Sequence, residues 1–170
     1  GLFDQDFASS IISRARKAGI PVMVDPKPSN PICWQGVTGI TPNRSEAFHA
    51  AGIPWSDPAD SPLQDEPLLR VGQLLLAKWA CDFILITLSE HGMILFQPNA
   101  SPYHIPTRAQ EVFDVSGAGD TAIAVFTAAL AGGASPIEAA EISNHASGIV
   151  VGKLGTATVS RQELLQSFPE

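Results

Sequence analysis

The chain has 170 residues, of which 45% are hydrophobic and 16% charged, a composition that excludes a disordered polymer and predicts a single folded domain over residues 1–170. Its net charge of −7 disfavours a nucleic-acid partner. No apolar run reaches the roughly 20 residues that a membrane span needs, so no membrane partner is expected. Cys33 and Cys81 indicate neither a zinc site nor a disulfide framework, so we expect a reducing, cytoplasmic location.

Hydrophobic periodicity predicts alternating helices and strands along the chain. In order, we expect a helix at 7–18, strands at 21–24 and 37–40, helices ending near 51 and at 66–79, strands at 82–87, 93–96 and 103–106, and helices at 122–130, 136–151 and 161–167. The strand at 82–87 is apolar throughout, as in a parallel strand covered on both faces. This alternation predicts the α/β class with a mainly parallel sheet.

Polar residues follow two of the predicted strands. Asp25 and Lys27 come after the first strand, and Asn43 and Glu46 come after the second. Ligands of open α/β sheets bind at the carboxyl ends of strands, where Lys27 could neutralise phosphate charge. Asn43 and Glu46 also fit a capping box for the next helix, so a structural and a functional interpretation both stay open.

A glycine-rich turn precedes the helix at 122–130. Gly117, Ala118 and Gly119 let the backbone approach a ligand, and the amides of the following helical turn can bind an anion. The charge of Asp120 would oppose such an anion, so we interpret Asp120 as a general base. Two alternatives remain. One is a dinucleotide-binding turn, which is disfavoured so late in the chain, and the other is a purely structural glycine turn in which the helix dipole favours Asp120 as a first-turn acid.

The sequence Asp114-Val-Ser-Gly-Ala-Gly-Asp120 resembles the D-x-x-G-A-G-D signature of the ribokinase-like (PfkB) carbohydrate kinases. The resemblance implies a three-layer α/β/α fold and ATP-dependent phosphoryl transfer to a sugar hydroxyl. It also implies that Asp120 is the base and that the amides of Gly117, Ala118 and Gly119 hold the phosphoryl charge. Mg²⁺ would accompany ATP.

Other positions match the same family less completely. In the family's T-x-G-x-x-G pattern, Thr87 and Gly92 match but Ser89 departs from glycine, and Pro28 stands where glycine is common. The resemblance implies that Glu46 helps to hold Mg²⁺ through water, and that Asp114 and Ser116 lie at a monovalent cation such as K⁺. The residues that it places around the nucleotide are Lys27, Asn43, Glu46, Thr87, Ser89, Gly92 and Asn144.

Two stretches, Val24-Asp-Pro-Lys27 and Gly148 to Val159, look most like the kinase half of bacterial heptose-phosphate kinase/adenylyltransferases. A sugar or sugar phosphate is therefore the expected substrate. A ribokinase- or fructokinase-like kinase, a non-catalytic nucleotide-binding module and a purely structural domain are the alternatives. Because these motifs belong to the family's second half, we expect the first half and its lid to be absent, and an open edge strand to favour self-association.

Overall fold

The computed structural model describes residues 4–27, 32–109 and 112–168. Within these ranges it contains six α-helices and five strands, close to the positions that the sequence predicts. No helix among them has the length and apolar character to cross a bilayer. The helices are α1 (Gln5–Lys17), α2 (Arg44–Ala51), α3 (Glu66–Trp79), α4 (Ala118–Ala131), α5 (Pro136–Val151) and α6 (Arg161–Gln166), and the strands are β1 (Met23–Val24), β2 (Gly39–Ile40), β3 (Phe83–Thr87), β4 (Met93–Phe96) and β5 (Tyr103–Ile105).

The five strands form one sheet in the order β1-β2-β3-β4-β5. The first three strands pair in parallel, whereas β4 pairs antiparallel with both β3 and β5. Four strands therefore point the same way and β4 alone opposes them, because a short turn at Ser89–His91 reverses the chain between β3 and β4. The α/β class is confirmed, and the hydrogen bonding of the sheet is mixed.

Helices cover the two faces of the sheet, which gives three layers. The apolar run of β3 serves both faces, because successive side chains point in opposite directions. Ile84 and Ile86 pack with α2 and α3, while Phe83 and Leu85 pack with α4 and α5. This arrangement confirms the three-layer α/β/α architecture expected from the resemblance, and it leaves the carboxyl end of β3 open between the layers.

Arg44, inside the Asn43 to Glu46 motif, is buried and fixes the loop that follows α2. Its Nη1 lies 2.8 Å from Asp65 Oδ2, and its Nη2 donates to the Ser56 carbonyl at 3.0 Å. Its guanidinium also lies over the rings of Phe48 and Trp55, at 4.7 Å and 5.4 Å from their centroids. The loop between α2 and α3 is therefore held by a buried ion pair.

Candidate active site

A cavity of about 390 Å³ opens at the carboxyl end of β3. Its walls are the turn after β3, the segment after β5, the first turn of α4 and the C-terminal half of α5. This volume accommodates a small ligand. The sequence-predicted residues that line the cavity are Thr87, Ser89, Gly92, Ala118, Gly119 and Asn144.

Asn144 shapes the cavity wall. Its side chain is only 3% exposed, and Nδ2 donates to the Pro106 carbonyl at 2.7 Å, which fastens the segment after β5 to α5. Ser147 and Gly148 follow on the same helical face and also line the cavity, because residues three and four apart lie on one side of a helix. Neither residue is among the sequence-predicted site residues, although their spacing from Asn144 is visible in the sequence.

The turn after β3 combines a required glycine with an unusual serine. Gly92 has φ 80° and ψ −124°, and an added Cβ would overlap the Ile105 carbonyl oxygen and lie 2.6 Å from Thr107 N, so no larger residue fits. Ser89 has φ 53°, in the left-handed region that favours glycine. Ser89 thus keeps a glycine-like backbone despite its departure from the family's pattern, at a conformational cost.

The first turn of α4 provides an uncapped helix terminus. Gly117 is its N-cap residue with φ 81°, and no side chain caps the helix there. A Cβ added at Gly119 would meet nothing within 4 Å, so the space beside Gly119, on the cavity side, is open. The Ala118 amide already donates to the Val115 carbonyl at 3.2 Å. The terminus therefore fits a bound phosphate through the amides that follow Ala118.

Asp114 connects the glycine turn to the chain beyond α5. Its Oδ1 accepts from the Ser116 amide at 2.9 Å, and its Oδ2 accepts from the Gly155 amide at 3.1 Å. The Ser116 amide and side chain, followed by the Gly155 amide, hold the pKa of Asp114 below its usual range. The structure thus brings Asp114 and Ser116 together, with an ionised carboxylate that suits a cation.

Asp120 lies in the first turn of α4 with an exposed side chain. It stands beside the glycine turn, although it is not among the residues that line the cavity. Its carboxylate is accessible to solvent at this end of α4, and its role as a general base stays a prediction.

Lys27 and Glu46 form a charged cluster at the neighbouring strand ends. Lys27 Nζ lies 2.6 Å from Asp25 Oδ2 and 3.2 Å from Glu46 Oε1. The hydrogen bond with Asp25 raises the pKa of Lys27, and the hydrogen bond with Glu46 raises it further. Burial of the ammonium lowers the pKa but does not outweigh them. Lys27 and Glu46 border a second cleft of about 370 Å³ instead of the 390 Å³ cavity. Pro28 falls outside the described residues.

Asn43 and Glu46 form the capping box of α2 that the sequence allowed. Asn43 Oδ1 accepts from the Glu46 amide, and Glu46 Oε2 accepts from the Asn43 amide, each at 2.9 Å. Asn43 also forms a parallel bridge with Thr87, which places the motif beside the cavity wall. Within residues 4–27, 32–109 and 112–168, no group of three or more His, Cys, Asp or Glu side chains could hold a metal ion unaided.

The fold is similar to that of solved sugar kinases. Arabidopsis thaliana ribokinase, solved with ribose and ATP, aligns with a TM-score of 0.81 and 23% identity, over 96% of this chain and 52% of that one. Escherichia coli phosphofructokinase-2, solved with potassium, aligns with a TM-score of 0.80 and 18% identity, over 96% of this chain and 52% of that one. The chain thus spans about half of these structures.

Sequence comparison gives closer relatives. The bifunctional protein HldE of Erwinia tasmaniensis is 48% identical over 155 residues, which are 91% of this chain and 31% of that protein. HldE of Geobacter sulfurreducens is 46% identical over 168 residues, which are 99% of this chain and 33% of that protein. The chain therefore spans about a third of these relatives. Because the family model for pfkB carbohydrate kinases matches residues 3–163, the chain belongs to the pfkB family of carbohydrate kinases.

Proposed function

We propose that this chain is the nucleotide-binding and catalytic portion of a kinase that transfers a phosphoryl group from ATP to a hydroxyl of a sugar or sugar phosphate. One observation carries the proposal: an uncapped glycine terminus of α4 borders an open cavity and has an exposed carboxylate, Asp120, in its first turn. The terminus suits phosphate, and the carboxylate suits a hydroxyl that attacks it.

In this proposal Asp120 orients the substrate hydroxyl and removes its proton. The amides that follow Ala118 in the first turn of α4 stabilise charge on the moving phosphoryl group, because the Ala118 amide already donates to the Val115 carbonyl. The Mg²⁺ of Mg-ATP would supply positive charge that neutralises phosphate oxygens. Glu46 would hold it through water, since both carboxylate oxygens of Glu46 already have protein partners.

In this proposal Thr87, Ser89, Gly92 and Asn144 bound the nucleotide. Lys27 borders the 370 Å³ cleft and pairs with Asp25 and Glu46, so its proposed part is to orient Glu46 and not to supply free positive charge to the phosphates. Asp114 and Ser116 are the proposed ligands of a monovalent cation, K⁺. Asp114 fits this task because its carboxylate is ionised and fixed by two backbone amides.

The proposed substrate class is a heptose phosphate. Support comes from the similarity to HldE proteins at 46–48% identity, well above the identity to ribokinase. A second candidate is a nucleotide-binding portion that does not catalyse transfer alone, because the chain spans about half of the solved ribokinase structures. A ribokinase- or fructokinase-like specificity is the remaining enzyme alternative.

Calorimetric titration with Mg-ATP tests the proposal. We expect micromolar binding by the wild type and by Asp120→Asn, since that substitution removes the base but keeps the helix terminus. Asp6→Asn is the matched control, because Asp6 is also an acid in the first turn of a helix, α1. A folded chain that does not bind Mg-ATP would contradict the nucleotide site.

Turnover measurements test the proposed catalytic role of Asp120, in a sample that phosphorylates a sugar phosphate. Asp120→Asn should lower the turnover by about 10²- to 10⁴-fold, the usual contribution of a general base. Asp6→Asn should leave the turnover unchanged. Equal turnover in the wild type and Asp120→Asn would remove Asp120 from the mechanism while leaving the nucleotide site intact.

A further inference from the structure

The loop between α5 and α6, residues 152–160, contacts the glycine turn at two points. The Gly155 amide donates to Asp114 Oδ2 at 3.1 Å. The methyl carbon of Thr156 lies 3.0 Å from the place that a Cβ would occupy at Gly117, so Thr156 packs closely against this N-cap residue. The loop therefore supports both the start of the Asp114 turn and its junction with α4.

Lys153 closes this loop on itself. Its Nζ donates to the Thr158 carbonyl at 2.8 Å and lies 2.6 Å from Glu163 Oε1, with 32% of its side chain exposed. Both partners are charged or strongly polar acceptors, which makes these hydrogen bonds stronger than neutral ones. The ammonium thus joins the beginning of the loop to its end and to the first turn of α6.

Helix α6 is a fixed anchor for that contact. Glu163 Oε2 accepts from the Ser160 amide at 2.8 Å and completes a capping box at the start of the helix. Beyond the other end, Ser167 Oγ lies 3.0 Å from His145 Nδ1, and the Phe168 ring stacks on the His145 ring with centroids 4.1 Å apart. The helix is therefore fastened to α5 independently of Lys153.

The charge of Glu163 and the backbone freedom of Gly155 both indicate that Lys153 restrains the loop. The Lys153 hydrogen bond, followed by those from Ser160, lowers the pKa of Glu163 to about 2, so the carboxylate is ionised at neutral pH. Gly155 has φ 69°, in the left-handed region, and glycine gives the loop many alternative conformations when nothing restrains it. A restraint across the loop reduces that freedom.

We propose that Lys153 is a positioning residue of the active site: by fastening the loop to α6, it holds Gly155 and Thr156 where they fix Asp114 and Gly117. The consequence for nucleotide binding rests on the proposed function. A looser loop releases Asp114, and the amides at the terminus of α4 then lose their alignment toward phosphate. Lys153 itself does not line the 390 Å³ cavity, so it acts only through the loop.

Lys153→Met, Lys153→Arg and the control Lys17→Met test this inference in the chain. Amide hydrogen exchange by NMR reports on the Gly155 and Ser116 amides, and calorimetry reports on Mg-ATP affinity. We expect Lys153→Met to speed exchange at both amides roughly fivefold, the size of a partly exposed charged contact, and to weaken Mg-ATP binding by a similar factor. Lys153→Arg should restore both, whereas Lys17→Met, at the exposed end of α1, should change neither.

Unchanged exchange at Gly155 and Ser116 in Lys153→Met would overturn the inference. Faster exchange that extends equally to Leu85 in β3 would also overturn it, because it would show only a loss of global stability. If Lys153→Met does not fold, Glu163→Gln replaces it, and faster exchange confined to the same two amides supports the inference. A wild type that does not bind Mg-ATP would refute the proposed function. The exchange rates would still test whether Lys153 holds the loop against Asp114 and Gly117.

Discussion

Replacement of Asp65 by asparagine should strongly destabilise the fold. Asp65 is 2% exposed and accepts from Arg44 at 2.8 Å, from the Leu68 amide at 3.0 Å and from the Ala59 amide at 3.2 Å. Asparagine can still cap α3, so the main loss is the charge opposite Arg44. An uncompensated buried charge costs about 3–5 kcal/mol, a large part of a typical total of about 5–15 kcal/mol.

Urea denaturation at pH 7 measures this loss as a shift of the unfolding midpoint. Asp57→Asn is the matched control in the same loop, because Asp57 is exposed and should change the free energy of unfolding by less than about 0.5 kcal/mol. Arg44→Met combined with Asp65→Asn should recover part of the loss, since no unpaired charge then remains buried. A cost below about 1 kcal/mol for Asp65→Asn would refute the reasoning.

The same ion pair makes stability depend on pH. Burial alone would raise the pKa of Asp65, but the hydrogen bonds from Leu68, Arg44 and Ala59 outweigh it and leave the pKa lowered. A lowered carboxyl pKa stabilises the fold above the unfolded pKa of about 3.9, and this contribution is lost as the pH falls through the folded value. The wild type should therefore lose more stability below pH 4 than Asp65→Asn does.

Three further predictions concern the cavity turn and the thiols. Ser89→Gly should raise the free energy of unfolding by up to about 1 kcal/mol, because glycine removes the left-handed strain at some cost in unfolded-state entropy; a loss of stability in urea would contradict this. Gly92→Ala should lower the free energy of unfolding by roughly 3 kcal/mol, because the added methyl group overlaps the backbone after β5. An unchanged midpoint would contradict the turn geometry. Burial raises the pKa of the Cys81 thiol to about 11, so at pH 8 a disulfide reagent should label only the exposed Cys33 in the folded chain. Both thiols should react in denaturant. Labelling of both thiols in the folded chain would contradict the core position of Cys81.

Much of the local structure was predictable because its causes are local. The bounds of α3 and β4 agree with the sequence prediction, since helical and strand periodicity are read over a few residues. Ser135 caps α5, and this contact is local because a cap joins residues three apart. The D-x-x-G-A-G-D resemblance led to the family that the comparison confirms. The roles of Asp120 and the other proposed site residues stay predictions.

The contacts that organise the site were decided by the tertiary structure. Asp114 and Gly155 are 41 residues apart, and Asn144 and Pro106 are 38 apart, so no local pattern could pair their polar groups. The short motifs at the strand ends likewise did not indicate that Lys27 and Asn144 border different clefts. The sequence by itself determined which segments fold as helices and strands, since propensity and capping act within a turn or two. Packing of the layers then determined which polar groups meet, because buried donors and acceptors must find partners wherever the fold brings them.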